Sequence, residues 1–393
     1  MKRLMIPMMI IAMLTSGVAV SATEDVNIQA NDEKIRYIGR WVDNGNGAYE
    51  GSFEGEIIVK FKGTALRASK KSSGTVYVQV DGGEYKSAEL SSTSLCKGLE
   101  DTVHTVRIFA AAQLSFPKVT GFTLTNGGEF LMPDKNTTIE FIGDSILEGY
   151  VRQGENSSVI SYGTHTAARL GFDRNIVAFG GITVTANYGN PDKTGMPNRY
   201  YMLKEYSATE PTSEAWDTNC FVPDIIVVNL GANDSAVPDA SFILSYEMFL
   251  TKLRKSYPDT VIFVMTVFHN RKTEQVKKAY ENQKDSKMFL VDTSKWGTLE
   301  TADGLHITAD AHKFVGERLA EEISATLDEM QKAINATKTP STENVTEAPT
   351  ANSGEASKKA NSGGGRRAVI ISVITVLALM GVAAGVTASK KKK

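Results

Sequence analysis

Two regimes of hydrophobic patterning divide the chain. Short β-type runs alternate with Gly, Asn and Ser turns at residues 35–38, 56–61, 75–80, 104–109 and 120–125. In the third run Val76, Val78 and Val80 point one way, and Tyr77 and Gln79 point the other. That is the period of a strand with two unlike faces, and Asp81-Gly82-Gly83 then offers a turn. No helix-length periodic segment interrupts this region. The pattern predicts an all-β sandwich of jelly-roll type over residues 23–130.

After Pro133-Asp134 the pattern changes to strands alternating with helices. Strands are expected at residues 138–142, 175–179, 224–230, 261–267 and 288–291, nearly all apolar, as parallel strands buried on both faces must be. The last helix, from about 309 to 334, carries Val315, Leu319, Ile323 and Leu327 four residues apart on one stripe. Residues 131–334 therefore read as a three-layer α/β/α domain, flavodoxin-like, with ligands outside the carboxyl ends of its strands.

The ends of the chain differ from both. Residues 1–22 place Lys2 and Arg3 before an apolar stretch that closes on Val20-Ser21-Ala22, the form of an export signal. Residues 335–367 are Thr, Ser, Asn, Lys, Glu, Ala and Gly with almost nothing to bury, so a disordered tether is expected. Residues 368–388 are uncharged and long enough to span a bilayer as a helix, and residues 389–393 form a basic tail. With export fixed at the other end, the lysines belong on the cytoplasmic side and the bulk of the chain outside.

Composition removes some classes of function. A net charge of −2 over 393 residues gives no sign of nucleic-acid binding. Two cysteines, Cys96 and Cys220, are too few for a disulfide scaffold or a metal cluster, and sequence leaves their pairing open. No His, Cys and carboxylate cluster has metal-ligand spacing, so neither metal nor cofactor is expected.

The chemistry lies at strand ends. Gly143-Asp144-Ser145-Ile146 follows the first strand of the second regime, Gly181 follows the second, and Gly231-Ala232-Asn233-Asp234 follows the third. Asp303 and His306 stand in the loop before the last helix. In a parallel sheet these ends share one edge, so groups remote in sequence converge. Acyl transfer needs a nucleophile, here Ser145; a general base, His306; and a carboxylate to orient the ring, Asp303. It also needs oxyanion donors, for which the backbone N–H groups of Ser145 and Gly181 and the Asn233 side chain are the candidates. A turn glycine, a capping Asn-Asp and a surface histidine would each explain one of these residues alone. Their joint order at successive strand ends favours catalysis.

In order, Ser145, Gly181, Asn233 and His306 match the four blocks of the SGNH (GDSL-type) hydrolases, which the chain resembles. Gly39-Arg40-Trp41, Phe61-Lys62-Gly63-Thr64, Asn187-Tyr188-Gly189, Trp216-Asp217 and Pro223-Asp224 extend the resemblance to the two-domain family 2 carbohydrate esterases over about residues 35–330. The resemblance implies a serine esterase that removes acetyl groups from xylan- or mannan-type polysaccharide through an acetyl-enzyme, with Trp216 lining the sugar cleft. It leaves open a cell-envelope glycan or lipid ester as substrate, and a surface glycan-binding protein without catalysis. A membrane-anchored, extracellular monomer is expected. Ile307 stands where the family pattern has Pro, and Gly180-Gly181-Ile182-Thr183 departs from the usual second block, which makes Gly180 a rival oxyanion donor to Gly181.

Overall fold

A computed structural model describes residues 24–91, 94–110, 116–152, 155–186, 194–203 and 215–338. The export signal, the anchor, the basic tail and the Asn187-Tyr188-Gly189 block lie outside them, as does the tether beyond residue 338. Among the described residues no helix is long and apolar enough to cross a membrane.

The first regime folds into antiparallel strands β1 (Val26–Gln29), β2 (Ile35–Asp43), β3 (Tyr49–Ala68), β4 (Thr75–Val80), β5 (Lys86–Glu89), β6 (Ser94–Ala110), β7 (Lys118–Val119), β8 (Gly121–Leu124) and β9 (Glu129–Leu131). β3 is the hub, pairing with β2, β6, β7, β8 and β9. Ile57, Val59 and Phe61 of β3 join Val76, Val106, Phe122 and Phe130 in a core of their own, where alternation along each strand puts one face inward.

The second regime gives five parallel strands: β10 (Thr138–Asp144), β13 (Asp173–Phe179), β14 (Ile225–Asn229), β15 (Val261–Met265) and β16 (Met288–Val291). A small hairpin of β11 (Tyr150–Arg152) and β12 (Glu155–Asn156) lies between the first two in sequence. The sheet order is β16-β15-β14-β10-β13. Helices α1 (Tyr162–Leu170), α2 (Met196–Arg199), α3 (Asp239–Ser256), α4 (Thr273–Gln283) and α5 (Ala309–Lys338) connect or flank the strands. The Val315, Leu319, Ile323 and Leu327 stripe is buried to within 1%. α5 runs four residues past its expected end at 334, to Lys338.

Because β13 and β14 flank β10 on opposite sides, the chain reverses its direction of progress across the sheet at β10. A crevice opens at such a switch point outside the strand ends. Ser145 is the first residue beyond β10.

The two regimes are joined through β3. It bends at Phe53, whose φ of 56° is unusual for a side chain of that size, and its neighbour Glu54 pairs antiparallel with Ile176 of β13. The Phe53 ring packs in the α/β core and not in the core of the antiparallel strands. Arg40, fully buried, donates from its two Nη atoms to the carbonyls of Met202 (2.7 Å) and Tyr200 (2.6 Å). Its guanidinium lies within 5.5 Å of the rings of Phe53, Tyr200 and Trp216. Cys96 lies half-buried in β6 and Cys220 is exposed in a loop, and both are free thiols.

Candidate active site

Every residue of β10 is buried, so the strand fixes the level at which Ser145 emerges. A single turn follows, closed by Glu148 N–H to Asp144 O and Tyr150 N–H to Ser145 O, both 3.1 Å. The Asp144 carboxylate accepts the Ile146 N–H at 3.0 Å and steadies the turn from inside. Burial lifts this carboxyl to about 7.

Ser145 Oγ lies 2.9 Å from His306 Nε2, and His306 Nδ1 lies 2.7 Å from Asp303 Oδ2. The three groups form one hydrogen-bonded chain although 161 positions separate serine from histidine. Asp303 presents the ring by local chemistry: its Oδ1 accepts the N–H groups of Leu305 (3.0 Å) and His306 (2.7 Å). An Asx turn of this kind holds backbone and imidazole together. Those N–H groups and the ring pull the Asp303 carboxyl down to about 2. The loop is pinned at its base by a bridge between Thr301 and the fully buried Ile307. An aliphatic side chain thus anchors the loop at the position where the family pattern has Pro.

The second and third blocks lock onto each other. Gly180 and Gly181 turn the chain after β13, with Gly181 at φ 74° and Ile182 N–H returning to Phe179 O at 3.2 Å. Asn233 Nδ2 donates to Ile182 O at 2.9 Å, which leaves its second N–H uncommitted. Asp234 accepts the N–H groups of Val184 and Thr185 at 3.0 and 3.1 Å. Burial pushes Asp234 up to about 6, and those two N–H groups oppose the rise.

Two neighbours of the serine escaped the sequence reading. A Cβ added at Gly180 would stand 3.1 Å from Glu148 Oε2 and 3.8 Å from Ser145 Cβ, so this carboxyl borders both the nucleophile and the glycine turn. Burial pushes Glu148 up to about 8, and the Gly180 N–H directed at it limits the rise. The Tyr150 ring lies 4.4 Å from the His306 ring, tilted by 59°, and walls the imidazole on one side. The signal for both was position alone: they lie three and five residues past Ser145, in its own turn.

Trp216 is 6% exposed and belongs to the Arg40 stack with Phe53 and Tyr200; none of its described contacts reaches Ser145 or His306. Of the other histidines, His312 is fully buried and accepts the Tyr162 N–H at 3.2 Å, with its pKa pushed down to about 3, so it is a neutral strut between α1 and α5. His104 pairs with Asp81 at 2.6 Å among the antiparallel strands. Among the described residues no group of three or more His, Cys, Asp or Glu side chains is arranged to hold a metal ion.

Known proteins share this arrangement of strands. The cellulase/esterase CelE of Acetivibrio thermocellus is 28% identical over 326 residues, covering 74% of this chain. This chain spans 39% of that relative's length. The acetylxylan esterase / glucomannan deacetylase of Cellvibrio japonicus is 24% identical over 77% of this chain and 91% of its own. Two solved family two carbohydrate esterases superpose, one from Clostridium thermocellum in complex with cellohexaose and one from Cellvibrio japonicus. The first gives a TM-score of 0.61 at 23% identity, covering 75% of this chain and 99% of its own. The second gives 0.66 at 20% identity, covering 78% and 98%. Residues 141–314 match the GDSL-like Lipase/Acylhydrolase family, the stretch that holds Ser145, Gly181, Asn233 and His306. The stretch that carries the site thus matches a GDSL-type hydrolase family, and the solved structures the chain resembles are family two carbohydrate esterases.

Proposed function

We propose that the protein is a serine esterase that removes O-acetyl groups from polysaccharide of xylan or mannan type. The observation that carries this reading is the unbroken chain from Ser145 Oγ through His306 to Asp303, with bonds of 2.9 and 2.7 Å. Ser145 Oγ attacks the acetyl carbonyl carbon while His306 Nε2 takes its proton and returns it to the departing sugar oxygen. Asp303 keeps Nδ1 protonated and faces the imidazolium that forms. Water, deprotonated by the same imidazole, then releases acetate from the acetyl-enzyme.

The oxyanion is held by the N–H groups of Ser145 and Gly181 and by the second amide N–H of Asn233, each contributing about 3 kcal/mol to the transition state. The approach of Gly180 to Glu148 favours Gly181 as the backbone donor. The polysaccharide assignment draws on the acetylxylan esterase / glucomannan deacetylase relative. Export and membrane anchoring, read from residues 1–22 and 368–388, would set the enzyme on the cell surface facing such a polymer.

Ser145→Ala tests the chemistry. Turnover of an aryl acetate should fall by at least about 10³-fold, and fluorophosphonate should label the wild-type chain only. Unchanged turnover in this variant refutes the esterase. Acetate release from acetyl-xylan, compared with an acetylated muramyl glycan and a lipid ester, then ranks the substrates.

A further inference from the structure

Backbone strain gathers in the loop after β15. Among the described residues seven that are not glycine have positive φ, and three of them, His269 (59°), Asn270 (56°) and Lys272 (49°), fall within four consecutive positions. Such backbone costs free energy and persists only where its surroundings hold it, which is why it collects at functional sites. The loop leaves the catalytic edge beside the loop that carries Asn233. β14 and β15 are adjacent and parallel, and where they end Asn229 Nδ2 donates to Thr266 O at 3.1 Å.

Both ends of the strained stretch are anchored. Phe268 is buried and meets the Tyr162 ring edge to face at 5.8 Å. Lys272 Nζ donates to Val237 O at 2.6 Å and pairs with Asp239 at 2.7 Å. Between these anchors Arg271 keeps an ordinary φ of −74°, and its Nη1 donates to Ala232 O at 3.0 Å. The His269 ring is hydrogen-bonded to the backbone of Leu305, the neighbour of His306. One short loop therefore touches both the oxyanion side and the imidazole side of the crevice.

The Ala232 carbonyl belongs to the peptide plane that carries the backbone nitrogen of Asn233. After Asn233 the chain is fixed, because Asp234 accepts the N–H groups of Val184 and Thr185 at 3.0 and 3.1 Å. Before it stands Gly231 at φ 125°, a residue whose own sterics restrain the chain least. Arg271 supplies a restraint on that side. A guanidinium binds a carbonyl more firmly than a neutral donor does, and an oxyanion donor is effective only where its geometry is set before the reaction. We propose that Arg271 is a positioning residue: by fixing the peptide between Ala232 and Asn233 it aims the second amide N–H of Asn233 at the oxyanion, and the left-handed residues around it bring it into reach. The catalytic part of this assignment rests on the esterase reading, with Asn233 as a donor; the link from Arg271 to Asn233 does not.

Steady-state turnover of an aryl acetate by the full chain tests it. Arg271→Met keeps an unbranched side chain and removes the donors; kcat should fall at least about tenfold while KM stays within about twofold. Arg271→Lys should recover part of the loss. Asn233→Ala should itself lower kcat by about 10²-fold, and adding Arg271→Met to it should change kcat by less than about twofold, because the donor being aimed is gone. A second readout needs no turnover. In proton–nitrogen correlation spectra the Asn233 side-chain amide signals, identified by their loss in Asn233→Ala, should move in Arg271→Met. Unchanged kcat, a rise in KM alone, losses that multiply in the double variant, or unmoved Asn233 signals each overturn the assignment and leave Arg271 as a loop anchor. Should Arg271→Met fail to fold, Arg271→Lys carries the same cycle and the same spectra. Asn233 signals that move in a chain without esterase activity would sink the esterase reading and leave the link from Arg271 to Asn233 standing.

Discussion

Glu148 ties the pH response of the fold to the serine. Its ordinary carboxyl value is 4.5 and burial raises it to about 8, so the folded chain holds this proton where the unfolded chain releases it. Stability from the group is fully present below about 4.5 and is lost as pH rises through about 8. Glu148→Gln keeps an oxygen for the Gly180 N–H and removes the titration. Thermal melts between pH 5 and 8.5 should therefore show the variant losing less Tm than the wild type, with a gap of at least about 2 °C opening at the alkaline end. Asp144 and Asp234, raised to about 7 and about 6, supply the slope that remains in the variant. Parallel curves would show that Glu148 is ionised in the fold at neutral pH. Ser145, Asp303 and His306 were legible in the sequence because their roles demand specific side chains at strand ends and a short spacing. Glu148 was not, because its importance comes from burial against a glycine turn more than thirty positions away, which no local pattern records.

Strands were legible where alternation or continuous apolarity ran unbroken, and their lengths were not. β3 was expected over residues 56–61 and runs over Tyr49–Ala68, because Tyr49–Ser52 go on pairing with β2 while Glu54 pairs with β13, so the strand serves two cores. β6 was expected over 104–109 and runs from Ser94, its exposed half supported by pairing with β3 and not by burial. The Gly39-Arg40-Trp41 block has a physical reason at this scale. Gly39 adopts φ 90°, and a Cβ there would stand 2.2 Å from the Asn175 side-chain oxygen, so only glycine lets β2 approach β13. Gly39→Ala should cost about 1–3 kcal/mol from the backbone alone, with the steric clash added. Asn175→Ala in the same chain should recover the steric part but not the backbone part, which a double-mutant cycle in urea would separate. Additive losses would mean that the two residues do not meet.

At the scale of the molecule, the sequence separates an all-β half from an α/β half but gives no hint that the α/β half is incomplete alone. The connections that cross the boundary include three that each serve a buried group. Glu54 pairs with Ile176 and covers the open edge of β13. Phe53 fills the α/β core. Arg40 satisfies the carbonyls of Tyr200 and Met202 and its positive charge offsets the burial of Glu140, which also takes hydrogen bonds from Asn175 (2.6 Å) and Tyr200 (2.5 Å). A fragment beginning at Asp134 would expose a bare strand edge next to the Gly180-Gly181 turn, leave a ring-sized void, and strip a buried carboxyl of its cation. The expected outcome is a chain that aggregates or lacks near-ultraviolet ellipticity, with aryl acetate turnover lost although Ser145, Asp303, His306, Gly181 and Asn233 are all present. Supplying residues 24–133 as a separate chain should restore part of that turnover, because the junction is non-covalent apart from the linking peptide. A monomeric, fully active fragment would show that the α/β half stands alone, and the junction residues would then need another explanation.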